Sequence, residues 1–241
     1  MITRLSLALL ACAAVLPAQG LGGLLKKPAT PAASSSVDVG AALASGTAMI
    51  GFVTIATDQG MRGVNTMLDM FPPEKVAKIK KLSAQYAELS AKRKDGNIDA
   101  EQLKVASAAG DEMAALQGDW KSYKKEKSST VAKANSHLGL MLGADAIAVA
   151  AAPKTLTSLQ EASKSLASNP MQAGKAAQVT SQIAVLTAVV QQVPQQTKSF
   201  TAVRSIITNI AKAEKISLAA DPSPAKIKDT ASLASSAKEL D

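Results

Sequence analysis

Between Asp38 and Phe71 the apolar and small residues recur in alternating steps of four and three: Val39, Leu43, Gly46, Ile50, Val53, Thr57, Gly60, Val64, Met67 and Phe71. This spacing is the seam of a long helix that packs on another helix. No segment of the chain sustains the period of two that a half-buried strand requires. With only 2% aromatic residues and abundant alanine, the composition also favours helix over sheet. The expected fold is all-α: an elongated antiparallel helical bundle, built on one long helical hairpin with a charged projecting tip.

The punctuation of the chain sets the expected elements. Ser35 with Asp38 fits a capping box before the first helix. Pro72 and Pro73 end that helix, and a second runs from Pro73 to Lys94 with Ile79, Leu82, Tyr86 and Leu89 on its seam. Asp95-Gly96-Asn97 is a turn signal, Asp99 and Gln102 have the spacing of a capping box, and Ile98 and Leu103 that of a hydrophobic staple. A third helix is expected to run unbroken from Asp99 to Ala152, ~80 Å long, and to close at Pro153. Folding back at 95–98 sets the uncharged residues 39–57 against roughly 136–154 and gathers the charged stretches 74–94 and 99–133 near the tip. Shorter helices are expected at 156–167, 170–193 and 198–218, with Pro194 breaking or kinking the chain. They would pack on the apolar end only, ~20–35 Å each. Residues 221–241 read as a linker and a weak amphipathic helix through Ile227, Ala234 and Ala237. The bundle domain spans 36–220, with 74–133 as its charged hairpin.

The N-terminus reads as an address. Arg4, the apolar run Leu5–Leu16 and the small residues Ala18 and Gly20 have the order of a secretory signal, cut after Ala18 or Gly20. The run of about a dozen residues is short of the ~20 that span a bilayer. Leu9-Leu10-Ala11-Cys12 resembles a lipoprotein box, which makes Cys12 a candidate lipidation site. Continuation of the apolar run through Leu16 favours simple cleavage. Residues 21–35 then form a flexible tether. Cys12 is the only cysteine, so a chain cut after Gly20 holds no thiol or disulfide, and its stability rests on burial.

Charge narrows the partners. Loss of Arg4 with the signal leaves 26 basic against 19 acidic residues, a balance of +7. Outside the cytoplasm such a chain suits an acidic protein, an acidic polymer or an anionic lipid. Three clusters carry the charge: Lys75, Lys78, Lys80 and Lys81; Lys92, Arg93 and Lys94; Lys121, Lys124, Lys125 and Lys127. Three Phe, two Tyr and one Trp are too few for a single-strand stacking platform, and no specific nucleic acid is expected. A homo-oligomer is open.

Motifs for chemistry are scarce. A single histidine removes His-rich metal sites, and there is no phosphate loop and no Gly-x-Ser-x-Gly elbow. Neither catalytic residues, nor a cofactor, nor a metal site is expected. Asp95, Gly96, Ile98 and Asp99 partly resemble an EF-hand loop, but Ala91, Arg93 and Gln102 stand where a calcium loop needs oxygen ligands or its bidentate acid. His137 is expected as a partly buried, hydrogen-bonded packing residue rather than a pH switch. Asp145, the one acid in an apolar stretch, is expected to face water, and Tyr86, Trp120 and Tyr123 to pack in the hairpin core. The leading reading is therefore a non-enzymatic exported binding or scaffold protein that meets an acidic partner through its basic hairpin. The alternative is a membrane-inserting or pore-forming bundle, since residues 39–57 could span ~28 Å as a helix.

Overall fold

The computed structural model describes residues 37–93, 96–168, 174–220 and 227–240. These residues form an all-α bundle. Its order is α1 (Val39–Leu68), α2 (Pro73–Ala91), α3 (Ala100–Ala114), two 3-10 segments (Ala115–Ser122 and Lys125–Thr130), α4 (Val131–Ala167), α5 (Ala176–Glu214) and α6 (Thr230–Lys238). The signal, the tether, Cys12, Ser35, Lys94 and Asp95 lie outside the described residues.

All ten seam positions read from 38–71 are buried. Asp38 is the N-cap of α1, its carboxylate accepting from Ala41 N at 3.0 Å. The most extensive packing in the molecule is the antiparallel pair α1–α4, which forms the expected long arms. Glycines let the two backbones approach: Gly63 lies under Leu138, Gly60 under Met141 and Gly46 under Leu159. This register is displaced by about two to three helical turns from the expected one.

The displacement comes from the route between the arms. Residues 99–152 are not one helix. After α3 the chain tightens into 3-10 turns, passes Tyr123 in extended conformation, and starts α4 only at Val131. Lys124 N donates to Met70 O at 2.6 Å, which pins the break to the base of the bundle. Leu116, Tyr123 and Val131 bury there with Phe71, Val76 and Ile210. A straight helix would have carried these side chains into water, and their burial outweighs continuous hydrogen bonding.

The hairpin α2–α3 keeps the register expected of it, with Lys75 on Asp119, Lys78 on Glu112 and Ser90 on Gln102. It does not project. Its turn folds back on α1, where Ile98 N donates to Thr54 Oγ1 at 2.9 Å and Tyr86, Val105 and Ala106 cluster with Met61. The Asp99–Gln102 capping box is complete, and Ile98 and Leu103 both bury in the core.

Pro73 opens α2 as expected, but Pro153 and Pro194 do not end helices. Pro153 sits inside α4 and Pro194 inside α5. Each removes one backbone hydrogen bond, but Ala151, Ala152 and Leu159 around one and Val193 and Gln196 around the other are packed into the bundle. Helix α5 therefore runs 39 residues, ~58 Å. It covers α1 from Gln182 at Gly46 down to Phe200 at Gly60, rather than the apolar end alone. Helix α6 docks on α1 and α4 through Ile227, Leu233 and Ala237, with Ala234 only half-buried.

Candidate partner-binding surface and buried polar groups

The base of the bundle gathers two of the three basic clusters, because the 3-10 segments bring 121–127 against the start of α2. Several of these lysines are engaged within the fold. Lys75 pairs with Asp119 at 2.7 Å, Lys78 with Glu112 at 2.5 Å and Lys125 with Glu214 at 3.9 Å. Lys121 lies over the half-buried Trp120 ring, 5.8 Å from its centre. Lys80, Lys81 and Lys127 are exposed and Lys124 is half-buried, and none of the four forms an ion pair with a described residue.

The second cluster is split. Lys92 pairs along its own helix with Glu88. Arg93 is 10% exposed and is consumed inside the fold. Its guanidinium makes a forked contact with Asp58, Nη1 to Oδ2 at 2.7 Å and Nη2 to Oδ1 at 2.8 Å. Nη2 also donates to Tyr86 Oη, which itself donates to Asp58. Burial, and then the Asp58 carboxylate, hold the Tyr86 hydroxyl protonated well above its ordinary range. This triad fixes the end of α2 to the middle of α1. A forked arginine at a helix end is indistinguishable in sequence from a solvated one, so Arg93 reads there as part of a basic surface.

A row of polar side chains threads the α1–α4–α5 interface. Gln182 donates to Thr47, Gln196 to Thr57, and Arg204 to Asn135. His137 is buried, with Nδ1 2.6 Å from Gln59 Oε1. It is the expected packing histidine, and a neutral ring donates through Nδ1–H there. Burial first, then Lys133 and Arg62, push its pKa down to about 4. Asp145 overturns the expectation that it faces water, being 0% exposed. Its Oδ2 lies 3.1 Å from Thr197 Oγ1, and Oδ1 has no partner among the described residues. Asp145 follows the buried Ala144 on a helix that packs on α1, α5 and α6 and so is covered on more than one face. Gln102 is spent on its cap, and no group of three or more metal-binding side chains occurs among the described residues.

Fold and surface together define an all-α helical bundle with a lysine-rich base and a polar seam in its core. No protein family, curated protein or solved structure matches the chain.

Proposed function

We propose that this is an exported, non-enzymatic binding or scaffold protein of the periplasm or cell exterior, which meets an acidic partner through the base of its 74–133 hairpin. The observation that carries this reading is the set Lys80, Lys81, Lys124 and Lys127, which form no ion pair with a described residue, whereas Lys75, Lys78, Lys92 and Arg93 do. Unpaired lysines beside a folded scaffold attract anions at little conformational cost. The test is binding of the full chain to vesicles containing an anionic lipid and to polyglutamate, at low and high salt. Binding should weaken steeply with salt, and replacing the four lysines by glutamate should abolish it. Salt-insensitive binding, or binding unchanged in that variant, would remove the base as the contact surface. Mass spectrometry of the mature N-terminus tests export: cleavage after Ala18 or Gly20 is expected, and a diacylated Cys12 would replace the soluble reading with an anchored one.

One observation favours a membrane-inserting protein as the second reading. Val39–Leu68 and Lys125–Ala167 are long and apolar enough to cross a bilayer, and they contain the antiparallel pair α1–α4. Both bury their apolar faces within the bundle, as core helices do. Dye release from anionic liposomes separates the two readings.

A further inference from the structure

The chain holds six aromatic side chains, and the fold buries five of them: Phe52, Phe71, Tyr86, Tyr123 and Phe200. Trp120, the only tryptophan, is the exception. Its ring packs on the apolar cluster at the base of the bundle but stays half-buried. Its indole N–H has no hydrogen-bond partner among the described residues. The local structure holds it at the rim. Trp120 lies in the 3-10 segment Ala115–Ser122, where Leu116 before it and Tyr123 after it turn into the core. Between them Gln117 and Gly118 are exposed, and Gly118 faces open space.

Cations gather beside this ring. The Lys121 ammonium lies 5.8 Å from its centre. Lys124 and Lys127 follow on the same stretch of chain, and none of the three forms an ion pair with a described residue. The nearby acids are largely spent: Asp119 on Lys75, Glu112 on Lys78, and Glu214 on Tyr123 with Lys125 3.9 Å away. Glu126 is the one exposed acid between Lys121 and Lys127. The segment therefore presents three uncommitted lysines and an open indole against one carboxylate.

The two features suit one kind of acidic partner. An indole has an apolar body and a polar edge, and it settles at the headgroup level of a bilayer, where both are satisfied. Lysines held near an anionic leaflet add attraction one by one. An acidic polymer would satisfy the lysines and leave the indole unused. We propose that residues 118–127 dock the protein on an anionic lipid surface, with Trp120 entering the headgroup layer and Lys121, Lys124 and Lys127 meeting lipid phosphates. This rests on the base being the partner surface, and it narrows the acidic partner to lipid. Docking needs no opening of the bundle, because Trp120 already stands at the rim while α1 and α4 keep their apolar faces in the core.

The experiment uses the full chain, whose tryptophan emission comes from Trp120 alone. The probes are vesicles of mixed phosphatidylglycerol and phosphatidylcholine, vesicles of phosphatidylcholine, and polyglutamate. With the anionic vesicles the emission should move to shorter wavelength and be quenched by lipids brominated on their acyl chains. Neither change should occur with phosphatidylcholine or polyglutamate. Trp120→Ala should lower affinity for the anionic vesicles about tenfold, the equivalent of roughly 55 Å² of ring leaving water, and leave polyglutamate affinity unchanged. Vesicle binding with an unquenched tryptophan, or with unchanged affinity in the variant, would overturn the lipid dock and leave a base that works by charge alone. Binding to polyglutamate but not to anionic vesicles would overturn it in favour of an acidic protein or polymer. Binding to neither would remove the base as a contact surface altogether. Should the variant fail to fold, quenching in the wild type decides alone.

Discussion

His137 and Asp145 are both buried uncharged, yet they couple stability to pH in opposite directions. The pKa of His137 is lower folded than unfolded, so the unfolded chain binds the extra proton. Its contribution is complete above about pH 6.5 and is lost as pH falls through about 4. Asp145 has the raised value, so the folded chain holds the extra proton. Its contribution is complete below about pH 4 and is lost as pH rises through about 8. Between about pH 4 and 6.5 the two slopes cancel, and above that only the Asp145 slope remains. Urea denaturation across pH 4–8.5 checks this by difference. Relative to wild type, His137→Gln should lose its acid-side sensitivity, and Asp145→Asn should lose the decline between pH 6.5 and 8. Lys215 offers a separate residue-scale prediction. It ends α5 in the left-handed region at φ 56°, while Ile216 N bonds back to Ala211 O. Glycine adopts that conformation without a Cβ penalty, so Lys215→Gly should stabilise the protein by about 0.5–1 kcal/mol, read as a raised urea midpoint at unchanged slope.

At the scale of the element, the helices approach each other through glycine and carry proline in their interiors. A Cβ on Gly63 would stand 2.7 Å from Leu138, and one on Gly110 would stand 2.7 Å from Phe200. Gly63→Ala and Gly110→Ala should each destabilise by about 1–3 kcal/mol, since the ring and the leucine are fully buried and cannot yield. Pro194→Ala should act the other way, restoring a backbone bond to Val190 O and stiffening α5, and thermal unfolding measures both. These elements also show what the sequence discloses. The α1 seam and the Asp99 cap were legible because their causes are local: a period of 3.5 residues and a side chain within reach of its own backbone. The break at 115–130 was not, because the seam runs through Leu116, Trp120, Tyr123 and Thr130 with Lys127 as its one charged exception. Only the tertiary base, where Met70 accepts from Lys124, decides that the helix ends. Pro153 and Pro194 misled for the same reason in reverse, since packing overrides a local cost. Of the candidate surface, the lysines were legible as charge, but which of them face acids on the neighbouring element is a property of the fold.

At the scale of the whole molecule, three long helices form the core, and two smaller units close it: α2–α3 over the lower half and α6 over the junction of α1 and α4. Nine residues are too few for α6 to hold its shape alone. It persists because Asp229 and Ser232 complete a capping box, Thr230 donates to Ala48 O at 3.1 Å, and Ile227 and Leu233 bury. Beneath it lie Phe52, Ile55, Leu140 and Ile147. Ending the chain after residue 226 should therefore do two things. It should lower stability by about 3 kcal/mol or more, from the loss of two buried aliphatic side chains. It should also expose these residues as one apolar patch of the kind that drives association. Sedimentation at several concentrations reads the second effect, and denaturant titration at low concentration reads the first. Leu233→Ala separates them: it should weaken the cover while keeping α6 on the chain, so that it lowers stability with less association than the truncation. A truncated chain as stable as the full one would mean that α6 rests on the bundle without supporting it.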